Sequence, residues 1–189
     1  CPHENGMQGL ASRGWQLNHY EHHLANYLGK NGYYTALCGI QHEAPDHHMI
    51  GYDEIVGSQE FNMDRTEESM EDWDYNNTDE ACGFLRRRAE EGGKPFFLSM
   101  GWFNTHREYP RAGKDINPDY LIPPAPLYDC DENRRDMADY CQSAKVVDQC
   151  FGRLMDCLLE TGQRDDTLII LTTDHGIAFP KMKCTLYDT

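Results

Sequence analysis

Three turns rich in titratable and metal-ligating groups each follow an apolar run in this 189-residue chain. Gly39-Ile40-Gln41-His42 closes the run that starts at Tyr34, Asn104-Thr105-His106 follows Phe96-Phe97-Leu98-Ser99-Met100, and Asp174-His175-Gly176 follows Thr167-Leu168-Ile169-Ile170-Leu171-Thr172. Asp174 and His175 put a carboxylate beside an imidazole, half of a divalent-cation site that leaves room for donors from elsewhere. His42 and His106 titrate near neutrality and can donate to an anion or act as general acids. Each residue also has a plainer reading: Asp174 caps its turn, the histidines bond to backbone, and Lys183 is a solvated charge. With nine histidines in the chain a single coincidence means little, and the signal is the recurrence after three apolar runs. His19, His22 and His23 lack an obvious acidic third ligand and are not read as a metal site.

For the turns to act together, their runs must be strands of one sheet, because open α/β sheets bind ligands beyond the carboxyl ends of their strands. Leu17, Tyr20, Leu24, Tyr27 and Leu28 recur at helical spacing and stop before Gly32, which predicts a first helix with a glycine cap. A second helix is expected over 77–91, carrying Ala81, Phe84 and Leu85 and closed by Gly92-Gly93. The third carries Met137, Tyr140, Ala144, Val147, Phe151, Leu154 and Leu158 and ends at Gly162. The unbroken apolar run 167–172 suits a parallel strand covered on both faces. Helix and strand alternate, so the expected fold is α/β, a mostly parallel sheet with helices on both faces. The acidic stretch 67–79 reads as a solvated linker, and 104–132, rich in Pro, Asp and Gly, as a long surface loop.

Composition narrows the function. A formal charge of −15 opposes polyanion binding through a broad basic face, so no nucleic-acid partner is expected and an anionic substrate needs a local cation or metal. No apolar run reaches the ~20 residues of a membrane helix. One domain over 1–189 is expected from the length. The eight cysteines include no CxxC pair, which removes zinc ribbons and thioredoxin-type chemistry. Cys141, Cys150 and Cys157 fall in the third helix and are expected as buried thiols rather than disulfides. The sequence starts at Cys1 rather than Met, as expected where the native start is not included, so the compartment is not read from a leader.

Several runs, in order and at similar spacing, resemble one known family. They are Pro2-His3-Glu4-Asn5-Gly6-Met7; Gly32-Tyr33-Tyr34-Thr35 continuing to Gly39-Ile40-Gln41-His42; Lys94-Pro95-Phe96-Phe97-Leu98 running to Thr105-His106-Arg107; and Asp148-Gln149-Cys150-Phe151-Gly152-Arg153-Leu154. The last is Asp166-Thr167-Leu168-Ile169-Ile170-Leu171-Thr172-Thr173-Asp174-His175-Gly176, with Phe179-Pro180 and Lys183 beyond. The chain resembles the type I, formylglycine-dependent sulfatases of the alkaline phosphatase superfamily, and within them the heparan N-sulfatase (sulfamidase) branch. The resemblance implies that Asp174 and His175 give half of a metal site, for calcium or else magnesium or manganese, while His42, His106 and Lys183 surround the sulfate.

It further implies hydrolysis of a sulfate ester or sulfamate, on a sulfated glycan or other small sulfated substrate, by a formylglycine nucleophile with metal assistance. A periplasmic, secreted or lysosomal location follows from the same resemblance. Two departures stand out: the family's lysine before His42 is missing, its place taken within Ile40-Gln41, and Cys1-Pro2-His3-Glu4 is not Cys-x-Pro-x-Arg. The chain is therefore expected to be a partial catalytic domain, incomplete at both ends, whose nucleophile lies upstream and which alone does not turn over. Two other readings stand beside it: a related phosphodiester or phosphonate hydrolase, and a truncated, non-catalytic chain.

Overall fold

Tyr34-Thr35-Ala36-Leu37-Cys38-Gly39 is buried at every position but the first, and it forms the central strand of a three-stranded parallel sheet. The computed structural model describes residues 2–9, 11–59, 67–125, 127–180 and 182–183. Its elements are α1 (Leu24–Lys30), β1 (Tyr34–Gly39), β2 (Glu54–Val56), α2 (Glu67–Glu91), β3 (Phe96–Gly101) and α3 (Asp131–Glu160), joined by short 3-10 turns. The fold is α/β, and the sheet order is β2-β1-β3. The chain divides into two compact units, one made of Cys1–Phe61 with Asn76–Gly101 and the other of Asn62–Tyr75 with Trp102–Thr189.

In the first unit the register pairs Tyr34 with Phe96 and Thr35 with Phe97. Neighbouring strand residues face opposite ways, so Phe96 and Phe97 cover different faces. On the Phe96 face the α2 ring of Phe84 stands edge-on to Phe96 at 5.9 Å and stacks with Tyr34 at 6.3 Å. On the other face Phe97 and Tyr52 pack against Ala25 of α1, Ala44 and Ile50. Helices thus lie on both faces, as expected.

Two of the helices depart from expectation. The first helix does not run from Leu17: His23 is extended (φ −60°, ψ 146°), its side chain accepts from the Ala25 amide, and α1 starts only at Leu24. Only Ala25 of α1 is buried, while Leu24 and Tyr27 are exposed, so the apolar periodicity there does not report burial. The acidic stretch 67–79 is no linker but the first half of α2. Its buried positions Met70, Asp74, Asn77, Thr78, Ala81 and Leu85 keep helical spacing, yet three of them are polar, which is why hydropathy concealed the stripe.

In the second unit α3 buries Ala138, Ser143, Val146, Cys150, Leu154 and Cys157 along one stripe, with Met137, Tyr140, Ala144, Val147 and Phe151 half-buried beside it. The six described cysteines are free thiols, and Cys150 and Cys157 are buried as expected while Cys141 is only half-buried; Cys1 and Cys184 lie outside the described residues. The region 104–130 is irregular apart from the 3-10 turn Pro118–Tyr120. Residues 167–172 do not form the expected strand. They pair with no described strand, and Leu168 and Ile170 are 85% and 77% exposed. A parallel strand requires a neighbour on its hydrogen-bonding edge, and none of the described residues supplies one here.

Candidate active site

β1 and β3 end together, with Gly39 opposite Gly101. Gly39 takes φ +77°, a left-handed turn open to glycine. A Cβ on Gly101 would lie 2.0 Å from the Ile40 carbonyl oxygen, so that strand end closes only around a glycine. After β1, Gln41 holds the His42 turn: its Oε1 accepts from the amides of Glu43 (2.7 Å) and Ala44 (2.9 Å), and its Nε2 donates to the Ala44 carbonyl at 2.9 Å. The residue in the region of the missing family lysine is thus a structural clamp, and His42 itself is exposed. His42 belongs to the first unit; His106, Asp174, His175 and Lys183 belong to the second.

Beyond β3, the His106 amide donates to the Phe103 carbonyl at 2.9 Å, and the two rings sit 5.1 Å apart. Its Nδ1 donates to the carbonyl of Arg107. A carbonyl can only accept, so Nδ1 carries hydrogen and the neutral ring's lone pair lies on Nε2. Arg107 grips Asp136 of α3 through both ends of the guanidinium, and its Nε donates to the Ala178 carbonyl at 2.8 Å. The side-chain bonds from Asp136 push Arg107 above its ordinary value. Burial pushes Tyr109, beneath the guanidinium, up to about 12. One cation therefore ties the His106 turn both to α3 and to the stretch that follows Asp174-His175.

Asp174 and His175 are exposed. His175 Nδ1 donates to the Gly176 carbonyl at 2.7 Å, which leaves its lone pair on Nε2, 3.7 Å from Asp174 Oδ1. An oxygen and a nitrogen at this separation are able to take two adjacent positions in a cation's shell. Neither belongs to a cluster of three metal-type ligands among the described residues; the one such cluster is Asp46, His47 and His48. There Asp46 Oδ1 takes the amide and ring Nδ1 of His48, both at 2.9 Å, and caps its own turn. Lys183 is half-buried.

Sequence reasoning passed over Arg107, Asp136 and Asp74. Arg107 sits next to His106, but nothing in spacing links it to Asp136, 29 residues away.

A profile of the sulfatase family matches residues 2–187. The chain belongs to the sulfatase family. Human N-sulphoglucosamine sulphohydrolase is 25% identical over 98% of the chain and 40% of its own length. The multifunctional alkaline phosphatase superfamily protein PehA of Trinickia caryophylli is 31% identical over 52% of the chain and 26% of its own. Choline-sulfatase of Rhizobium meliloti (strain 1021) is 24% identical over 83% of the chain and 42% of its length. The chain thus spans less than half of each of these relatives. Among solved structures, PsFucS1 sulfatase from Pseudoalteromonas sp. aligns with a TM-score of 0.48 at 23% identity, covering 72% of this chain and 34% of its own.

Proposed function

We propose that this chain carries the anion-binding and part of the metal-binding apparatus of an enzyme that hydrolyses a sulfate ester or sulfamate of a glycan. The observation that supports this most is the Arg107 bridge, which ties the turn of His106 to the stretch after Asp174 and His175. His106, its hydrogen fixed on Nδ1, takes a proton at Nε2 and then donates toward a sulfuryl oxygen or the leaving group. Lys183 adds positive charge to hold the anion, the local device that a chain of net charge −15 requires. Asp174 Oδ1 and His175 Nε2 would hold a divalent cation, calcium or magnesium, together with ligands from outside this pair. When bound, that ion supplies positive charge against the charge that develops on the sulfuryl oxygens. The nucleophile in this reading is a formylglycine contributed by sequence outside 1–189.

The human relative, which aligns along nearly the whole chain, favours a sulfated amino sugar as substrate. PehA, a multifunctional member of the superfamily, motivates a second reading as a phosphodiester or phosphonate hydrolase. The test assays the full-length gene product with an aryl sulfate, N-sulfoglucosamine and an aryl phosphodiester. Sulfate or sulfamate turnover that a chelator abolishes and His106→Ala reduces at least about a hundredfold supports the proposal. Faster phosphodiester turnover establishes the second reading, and turnover of none overturns both.

A further inference from the structure

Asp74 is fully buried in α2, yet it is a carboxylate. Such a group is costly to bury unless each oxygen finds donors, and a neutral apolar residue of similar size would join a helix to a loop at lower cost. Three hydrogen bonds reach it from one turn. Oδ1 accepts from the Phe103 amide at 2.6 Å, and Oδ2 accepts from the Asn104 amide at 2.9 Å and from Asn104 Nδ2 at 2.8 Å. With its side-chain NH2 spent on Asp74, Asn104 turns its Oδ1 to Ser143 of α3, whose hydroxyl donates at 2.6 Å. Phe103 then meets His106 twice, through the backbone bond and through the ring contact.

We propose that Asp74 is the positioning residue of the His106 turn: its two carboxylate oxygens fix Phe103 and Asn104, and through them set where the His106 ring stands. The inference rests on the proposed function only for what His106 does, not for where it is held. A carboxylate is needed because three donors converge. An amide in its place offers one acceptor oxygen and aims an NH2 at a donor. Ser143 closes the network from α3, so the turn is held from two helices. Burial pushes the Asp74 carboxyl up to about 6 while the bonds from Phe103 and Asn104 hold it down, so at neutral pH the accepting, ionised form prevails.

The test uses the full-length protein with histidines labelled for carbon-detected spectra, together with Asp74→Asn and Ser143→Ala. In Asp74→Asn the His106 Cε1–Hε1 resonance moves while those of exposed His19 and His48 stay. Its kcat on an aryl sulfate, measured well below the melting temperature, falls roughly tenfold or more with a smaller change in KM. Ser143→Ala, a milder change, moves the same resonance in the same direction by less, and it decides the matter if Asp74→Asn does not fold. An unmoved His106 resonance in a folded variant overturns the proposal. If the wild-type protein turns over no sulfate, the proposed function falls, and the His106 resonance alone still decides whether Asp74 positions that ring.

Discussion

Arg107 Nε and the Ala178 carbonyl, 71 residues apart in sequence, are joined by a 2.8 Å hydrogen bond. The same guanidinium spans the Asp136 carboxylate and lies over the rings of Tyr109 at 4.5 Å and Phe179 at 5.1 Å. A planar fork with a third N–H directed sideways can serve a carboxylate and a carbonyl at once, and its face can rest on aromatic rings. A lysine's single ammonium cannot do all three.

Arg107→Lys is therefore expected to lower stability by about 1–2 kcal/mol in urea unfolding, a figure kept small because Arg107 and Asp136 are each about one-third exposed. Asp136→Asn should cost a similar amount. Because both changes break one contact, the double variant should lose clearly less than the two single losses added together. Strict additivity would show that the two residues hold the turn independently.

The Asp74 carboxyl gives a pH dependence whose sign can be worked out. Its folded value, about 6, lies above the ordinary 3.8, so the folded state binds the proton more tightly than the unfolded one. The stability tied to that proton is fully present below about pH 3.8 and is lost as pH rises through 6. At about 1.4 kcal/mol per unit the loss is on the order of 3 kcal/mol. Wild type should thus lose stability relative to Asp74→Asn between pH 4 and pH 7. Urea titrations of both proteins across that window check it, and a difference that stays constant with pH would mean the carboxyl is not desolvated.

The apolar patterns make β1, β3 and α3 readable, and these elements stand where the patterns put them. Three polar residues on the buried stripe of α2, Asp74, Asn77 and Thr78, hide half of that helix; the burial of Asp74 and Asn77 is compensated by hydrogen bonds that hydropathy does not count. The run 167–172 shows the converse error. Its composition suits a strand, but strand formation depends on a pairing partner that no local pattern announces. The histidines and Asp174 were visible as residue types after apolar runs, whereas the partners that hold the His106 turn, Asp74 and Asp136, come from helices 30 residues away on either side.

Thiol reactivity should follow burial. Cys38 donates to the Asn77 carbonyl at 3.2 Å, and burial pushes its thiol up to about 12. Cys130 is half-buried, and burial raises Cys141 less far. With iodoacetamide at pH 8, mass spectrometry should find Cys130 modified before Cys38, and Cys38 modified only after denaturant is added. Early modification of Cys38 would mean that β1 opens under native conditions.

For the metal pair, Asp174→Ala in the full-length enzyme should remove a hard oxygen ligand, abolish most of the activity, and weaken calcium binding in calorimetry at least about tenfold. His19→Ala should change neither, since His19 is exposed and, among the described residues, engages Glu21 and the neighbouring ring of His22. Equal losses in the two variants with falling helix content would trace the effect to folding instead.

Leu168, Ile170 and Leu171 are exposed on an irregular stretch with no pairing partner among the described residues. Were the stretch to pair as a strand, Leu168 and Ile170 would share one side and Ile169 and Leu171 the other, and both sides would be apolar. A segment of this kind offers unpaired amides and carbonyls along its edge and apolar surface on both faces, the combination that templates strand pairing between molecules. The 189-residue chain by itself is therefore expected to associate in a concentration-dependent way, seen as a growing mass in light scattering. Leu168→Lys with Ile170→Lys puts two charges on one side and should reduce that association without altering helix content, because neither residue is buried. If the doubly charged variant associates as readily as the parent chain, the contact lies elsewhere, and the exposed side chains of Tyr120, Ile122 and Tyr128 become the next surface to test.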